Sequence, residues 1–73
     1  MAIDISKLTD SDKGREVVNH SQPSKTEWGR IVRWSDKYIW VRYHTAQWKG
    51  AEPFKRTGTT PEATHPRDLD FLE

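Results

Sequence analysis

Residues 38–44, Tyr38-Ile39-Trp40-Val41-Arg42-Tyr43-His44, decide how this chain folds. The stretch is almost entirely β-branched and aromatic, which favours a strand. A strand sends successive side chains to opposite faces, so Ile39, Val41 and Tyr43 share one face and Tyr38, Trp40, Arg42 and His44 the other. Arg42 has to stay solvated, which makes the first set the inward one. Upstream, residues 26–34 (Thr-Glu-Trp-Gly-Arg-Ile-Val-Arg-Trp) read as a second strand. Ser35-Asp36-Lys37 joins the two in a hairpin with a loop of about three residues. In the second strand Ile31 is the inward residue. Gly29 marks a bulge or sharp bend, which leaves open whether Trp28 or Trp34 turns inward.

Around this hairpin the chain is short and sparing with apolar residues. It has 73 residues, 33% of them hydrophobic and 32% charged, so it forms one small domain with a thin core. With no cysteine there is no disulfide and no thiolate metal site, which suits a reducing compartment. No apolar run approaches the roughly 18 residues of a membrane span. Met1-Ala2-Ile3-Asp4 lacks the basic and apolar regions of a signal peptide. The expectation is a cytoplasmic protein that does not enter membranes.

Punctuation places the other elements. Residues 1–13 form an N-terminal arm, and the cluster Thr9 to Gly14 forms a turn. Residues 15–20 read as a short strand, followed by a loop over Ser21-Gln22-Pro23-Ser24. Residues 45–60 show no period of 2 or 3.6 and read as one long loop. Ala63-Thr64-His65 suggests a short strand, Pro66-Arg67-Asp68-Leu69 a 3-10 turn opened by proline, and Asp70-Phe71-Leu72 a last strand. Five strands with a 3-10 turn before the last fit an all-β, small five-stranded SH3-like barrel spanning residues 1–73. Val17 or Val18, Leu8, Leu69 and Phe71 would complete its core.

A resemblance accompanies this pattern. It is carried by Leu8-Thr9, Asp12, Gly14-Arg15 and Val17-Val18. It continues through Glu27, Gly29, Ile31, Trp34, Asp36-Lys37-Tyr38-Ile39 and Val41-Arg42-Tyr43, and ends on Ala63-Thr64, Pro66, Asp68-Leu69 and Phe71. These positions resemble small, mostly uncharacterised proteins of bacteriophages and prophages. Gly29-x-Ile31 followed by the 38–43 strand also resembles the KOW and Tudor-like branch of SH3-like barrels. The resemblance covers residues 7–44 and 61–72. It implies a phage context, the cytoplasm of an infected or lysogenic host, and a barrel fold. It implies no catalytic residue and no cofactor.

Charge and aromatic residues locate the candidate binding surface. The net charge is +1, but residues 25–60 sum to +5 and the ends are acidic. Arg30, Arg33, Lys37, Tyr38, Trp40 and Arg42 belong to the hairpin. Trp48, Lys49, Lys55 and Arg56, with Phe54, belong to the loop. Guanidinium groups neutralise phosphates and aromatic planes stack on bases, so this set points to nucleic acid. The same residues also suit a protein partner, from the host or the phage, or a second copy of the chain. Plain packing accounts for them too, with Tyr38 and Trp40 under a second layer and Trp48 capping a barrel end. A cation-gripping cage would need Trp34, Tyr38, Trp40 and Tyr43 to converge near Asp36. His20, His44 and His65 lack metal-ligand spacing, and no nucleophile motif or phosphate loop is present. Neither catalysis nor a metal is expected.

Overall fold

The inward alternation of residues 39–43 organises the whole molecule. The structure, a computed structural model, describes residues 2–56 and 60–72. The fold is all-β. Its strands are β1 (Glu16–Gln22), β2 (Lys25–Trp34), β3 (Ile39–Trp48), β4 (Phe54–Lys55), β5 (Glu62–Thr64) and β6 (Leu69–Phe71). Single 3-10 turns lie at Ile5–Lys7, Asp10–Asp12 and Pro66–Asp68.

All pairings are antiparallel. The six-stranded sheet runs β4-β3-β2-β1-β6, and β5 lies on β3 as well, beside its first half. The two outer strands β5 and β6 are joined through the Pro66–Asp68 turn, which forces the sheet to curl. Laid flat, β5 and β6 would be four strand spacings apart, about 19 Å. Thr64 to Leu69, with a 3-10 turn between, spans only about 13 Å. Among the described residues, the strand pairings do not close the sheet into a ring of hydrogen bonds. The architecture is therefore all-β as expected, a curled, open antiparallel sheet with six strands where five were expected.

The core lies in the concave side of this curl. Val17, Ile31, Ile39, Val41, Tyr43 and Leu69 are buried together with Ile3, and Ile5, Leu8, Trp34 and Phe71 pack against them. Ile3 is a core residue that no strand or helix periodicity marks. Its N–H donates to the carbonyls of Pro66 and Leu69, which ties the arm to the closing turn. The arm is thus packed against the core and does not form a second layer over Trp40. Its turns are capped by short polar side chains: Asp4 accepts from the Ser6 N–H and hydroxyl, and Asp12 accepts from the Thr9 N–H. These bonds hold both carboxyls below the ordinary aspartate range, with Arg15 also favouring the charged Asp12.

Two bulges set the faces of the hairpin. Trp28 pairs with Thr45 while Gly29 pairs with Tyr43, so His44 is the extra residue on β3. Ile31 pairs with Val41 while Arg33 pairs with Trp40, so Val32 is the extra residue on β2. The second bulge puts Arg33 beside Trp40 and brings Trp34 opposite Ile39, against the core. Trp34 is the inward tryptophan, whereas Trp28 lines an outer depression with Glu16, His44 and Leu72.

Several boundaries differ from expectation. The loop at residues 21–24 shrinks to Pro23-Ser24, because β1 runs to Gln22 and pairs it with Lys25. The expected long loop at 45–60 is in part strand. Residues 45–48 continue β3, and Phe54–Lys55 forms β4 against Thr45 and Ala46. The bulge at His44 breaks the alternation, so Ala46 rather than Thr45 is buried and the extension looks unpatterned. Thr57, Gly58 and Thr59 of that loop lie outside the described residues. No described helix is long and apolar enough to cross a membrane.

Candidate functional site

The outer face of the β2–β3 hairpin gathers six of the hairpin residues singled out above. Arg30 and Arg42 sit directly opposite one another in the ladder, both exposed. The Arg33 guanidinium lies over the Trp40 ring, 4.9 Å from its centre. The Tyr38 ring meets Trp40 edge to face at 6.5 Å and His65 at 6.4 Å. Lys37 is exposed in the adjoining turn, where the Ser35 hydroxyl accepts from the N–H groups of Lys37 and Tyr38. The result is one row, His65–Tyr38–Trp40–Arg33, beside a pair of arginines. His65 belongs to this row although nothing around it in sequence marks it. Pro66 and the 3-10 turn bring it there.

This arrangement has clear chemical consequences. Trp40 is half-buried with a cation on its face, so it orients Arg33 more than it offers a bare stacking surface. Tyr38 is 44% exposed and supplies the open aromatic plane. A guanidinium held against a ring loses less freedom when it binds an anion than one on a mobile stem.

The remaining residues lie elsewhere. Trp48 is eight residues along β3 from Trp40, about 26 Å away at the strand rise. It is 48% exposed, and Lys25, its partner in the ladder, places its ammonium 5.0 Å from the ring centre. Trp48 therefore does not fold back over a barrel end. Lys49 is exposed beside it, with its N–H donating to the Ser24 carbonyl. Lys55 is exposed on β4 opposite Thr45. Arg56 is committed to the fold: it bonds Glu27 at 2.7 Å and Glu62 at 2.9 Å, and its guanidinium lies 5.5 Å from the Tyr43 ring centre. These ion pairs tie β2, β5 and the end of β4 together. They depend on strand register and have no signal in the local sequence.

The cage residues do not converge. Tyr43 is buried and Trp34 packs on the core, whereas Tyr38 and Trp40 face outward. The histidines are dispersed among separate partners: His20 with Asp70, His44 with Glu16, and His65 accepting from the Arg67 N–H. Among the described residues no group of three His, Asp or Glu side chains is placed to hold a metal.

A further cluster adjoins the arginine pair. His44 Nε2 lies 3.0 Å from Glu16 Oε2, so the ring donates there and its Nδ1 accepts from the Thr45 hydroxyl at 2.7 Å. Glu16 also receives Arg30 Nε at 3.1 Å. No family model, no curated protein and no solved structure matches the chain.

Proposed function

We propose that this chain is a noncatalytic, phage-type module that binds nucleic acid along the outer face of the β2–β3 hairpin. The observation that carries the reading is the Arg33–Trp40–Tyr38 row lying beside Arg30 and Arg42 on one exposed face. Arg33, Arg42 and Lys37 neutralise backbone phosphates, and Tyr38 stacks on a base. An SH3-like ancestry is part of the proposal. It is supported by the strand meander, the curl of the sheet and the 3-10 turn between the last two strands.

Binding should weaken linearly as log salt rises. Arg33→Gln combined with Arg42→Gln removes two phosphate contacts and should reduce the salt slope on single-stranded DNA by about 1.4. Fluorescence anisotropy with a labelled strand across a salt series reads this directly. Absence of binding to both a single strand and a duplex at about 50 mM salt would overturn the proposal.

The far end of the hairpin favours a second reading, a protein partner or a second copy of the chain. Trp48 and Phe54 are 48% and 45% exposed there. This reading requires self-association or a captured partner that Trp48→Ala abolishes and nuclease treatment leaves intact. A strict monomer by light scattering with nothing captured would count against it.

A further inference from the structure

We infer that the groove between Arg30, Arg42 and His44 is a receptor for a phosphate monoester, such as the terminal phosphate of a strand. The inference rests on the nucleic-acid reading and gives that face a starting point. The groove has a volume of about 470 Å³ and also carries Gly14 and Glu16 on its walls.

Three observations support it. First, Arg30 and Arg42 are direct partners across the ladder. Like charges at that spacing repel and weaken a sheet, and a shared anion turns the repulsion into two attractions. Second, the donors are tethered at the groove. Arg30 Nε bonds Glu16 at 3.1 Å and Arg30 Nη1 donates to the Gly14 carbonyl at 3.4 Å. His44 is held on the same carboxylate at 3.0 Å. A guanidinium has five N–H donors, so Arg30 can hold Glu16 and a phosphate together. Third, Glu16 gives the groove a polarity. A continuous polyanion crossing it would meet that carboxylate, whereas a terminal phosphate enters from the Arg42 side and stops there. Trp40 lies two residues from Arg42 on the same outward face of β3, so the rest of the strand leads towards the aromatic row.

The charges match this class of ligand. Arg30 and Arg42 bring two guanidinium charges to the groove, which Glu16 lines with one carboxylate. A monoester carries about −1.5 to −2 charge near neutral pH, more than an internal phosphodiester.

The test compares one short single strand with a 5′-phosphate, the same strand with a 5′-hydroxyl, and inorganic phosphate alone. All are titrated at about 0.1 M ionic strength, where the Debye length is about 10 Å. The phosphorylated strand should bind about tenfold more tightly, the gain expected from charge-assisted bidentate bonds. Arg30→Gln with Arg42→Gln should abolish that preference while circular dichroism stays unchanged. Arg33→Gln should weaken both strands equally and leave the preference intact. Measurable but equal binding of the two strands overturns the groove proposal and leaves the nucleic-acid reading standing. If inorganic phosphate shifts the Arg30 and Arg42 Nε signals in NMR spectra while neither strand binds, the groove stands as a free-phosphate site and the nucleic-acid reading falls. No response to any of the three probes overturns both.

Discussion

Gly29→Ala is expected to destabilise the protein by about 3 kcal/mol, the upper end of what overpacking a core costs. Gly29 is buried in β2, opposite Tyr43. A Cβ there would lie 2.6 Å from the Arg42 carbonyl oxygen, 2.7 Å from Val41 Cγ1 and 2.8 Å from Tyr43 Cα. Two of these three neighbours are backbone atoms of the adjoining strand, so no rotamer change relieves the contact. The hairpin ladder itself has to part, and the core hangs on that ladder through Val41 and Tyr43. At roughly 0.05–0.15 kcal/mol per residue, a chain of this length has only about 4–11 kcal/mol to lose. Urea unfolding followed by tryptophan fluorescence measures the loss, and a change below about 1 kcal/mol would refute the packing argument. Gly14→Ala provides the contrast. Nothing lies within 4 Å of its Cβ position, but its φ is +87°. Its cost is backbone strain alone, about 1–2 kcal/mol.

How far the sequence discloses this molecule depends on whether a feature is local. Ile31, Ile39, Val41 and Tyr43 are legible as core because strict alternation applies over residues 38–43, and all four are buried. The Pro66–Asp68 turn is legible because proline fixes its first position. A bend near Gly29 is legible because glycine is rarely kept inside a strand without a reason. Bulges defeat the same rule elsewhere. Val32 shifts the parity and sends Trp34 inward, and His44 disguises residues 45–48 as loop. Ion pairs are the least legible feature. Lys25, Arg30 and Arg56 all read as free positive charge, yet Arg30 and Arg56 bind Glu16, Glu27 and Glu62 from three other parts of the chain. The candidate face was therefore overdrawn by composition. The hairpin residues meet as one patch, while Trp48 and Lys49 stand at the far end and Arg56 is consumed by the fold.

The polar side of the core gives the second large effect, and it comes with a pH signature. Asn19 and Thr64 are buried polar residues on β1 and β5, and Tyr43 of β3 bridges them. The Asn19 amide donates to the Tyr43 hydroxyl at 3.0 Å, and that hydroxyl pairs with the Thr64 hydroxyl at 2.7 Å. One phenol therefore links three strands across the curl, where β5 has few residues of its own. Tyr43→Phe keeps the ring but takes the acceptor from the buried Asn19 amide and leaves the Thr64 hydroxyl only its 3.4 Å bond to the Glu62 carbonyl. At about 1–3 kcal/mol for an unsatisfied buried group, the variant should lose about 2 kcal/mol at neutral pH. Burial raises the Tyr43 hydroxyl above its ordinary value near 10. The negative charges of Glu27 and Glu62 push the same way, and the bonds to Thr64 and Asn19 offset part of the rise. The unfolded chain therefore gives up its phenol proton first. Between the unfolded and folded values the native state holds more protons, so stability falls as pH increases. The Tyr43 contribution is complete below about pH 10 and is lost as pH climbs through the raised native value. Tyr43→Phe cannot lose that proton, so its stability lacks this alkaline decline. The gap between wild type and variant should be widest at neutral pH and narrow steadily above about pH 10. Paired urea titrations at neutral and alkaline pH measure it. A gap that stays constant across that range would mean that the hydroxyl is not buried between Asn19 and Thr64.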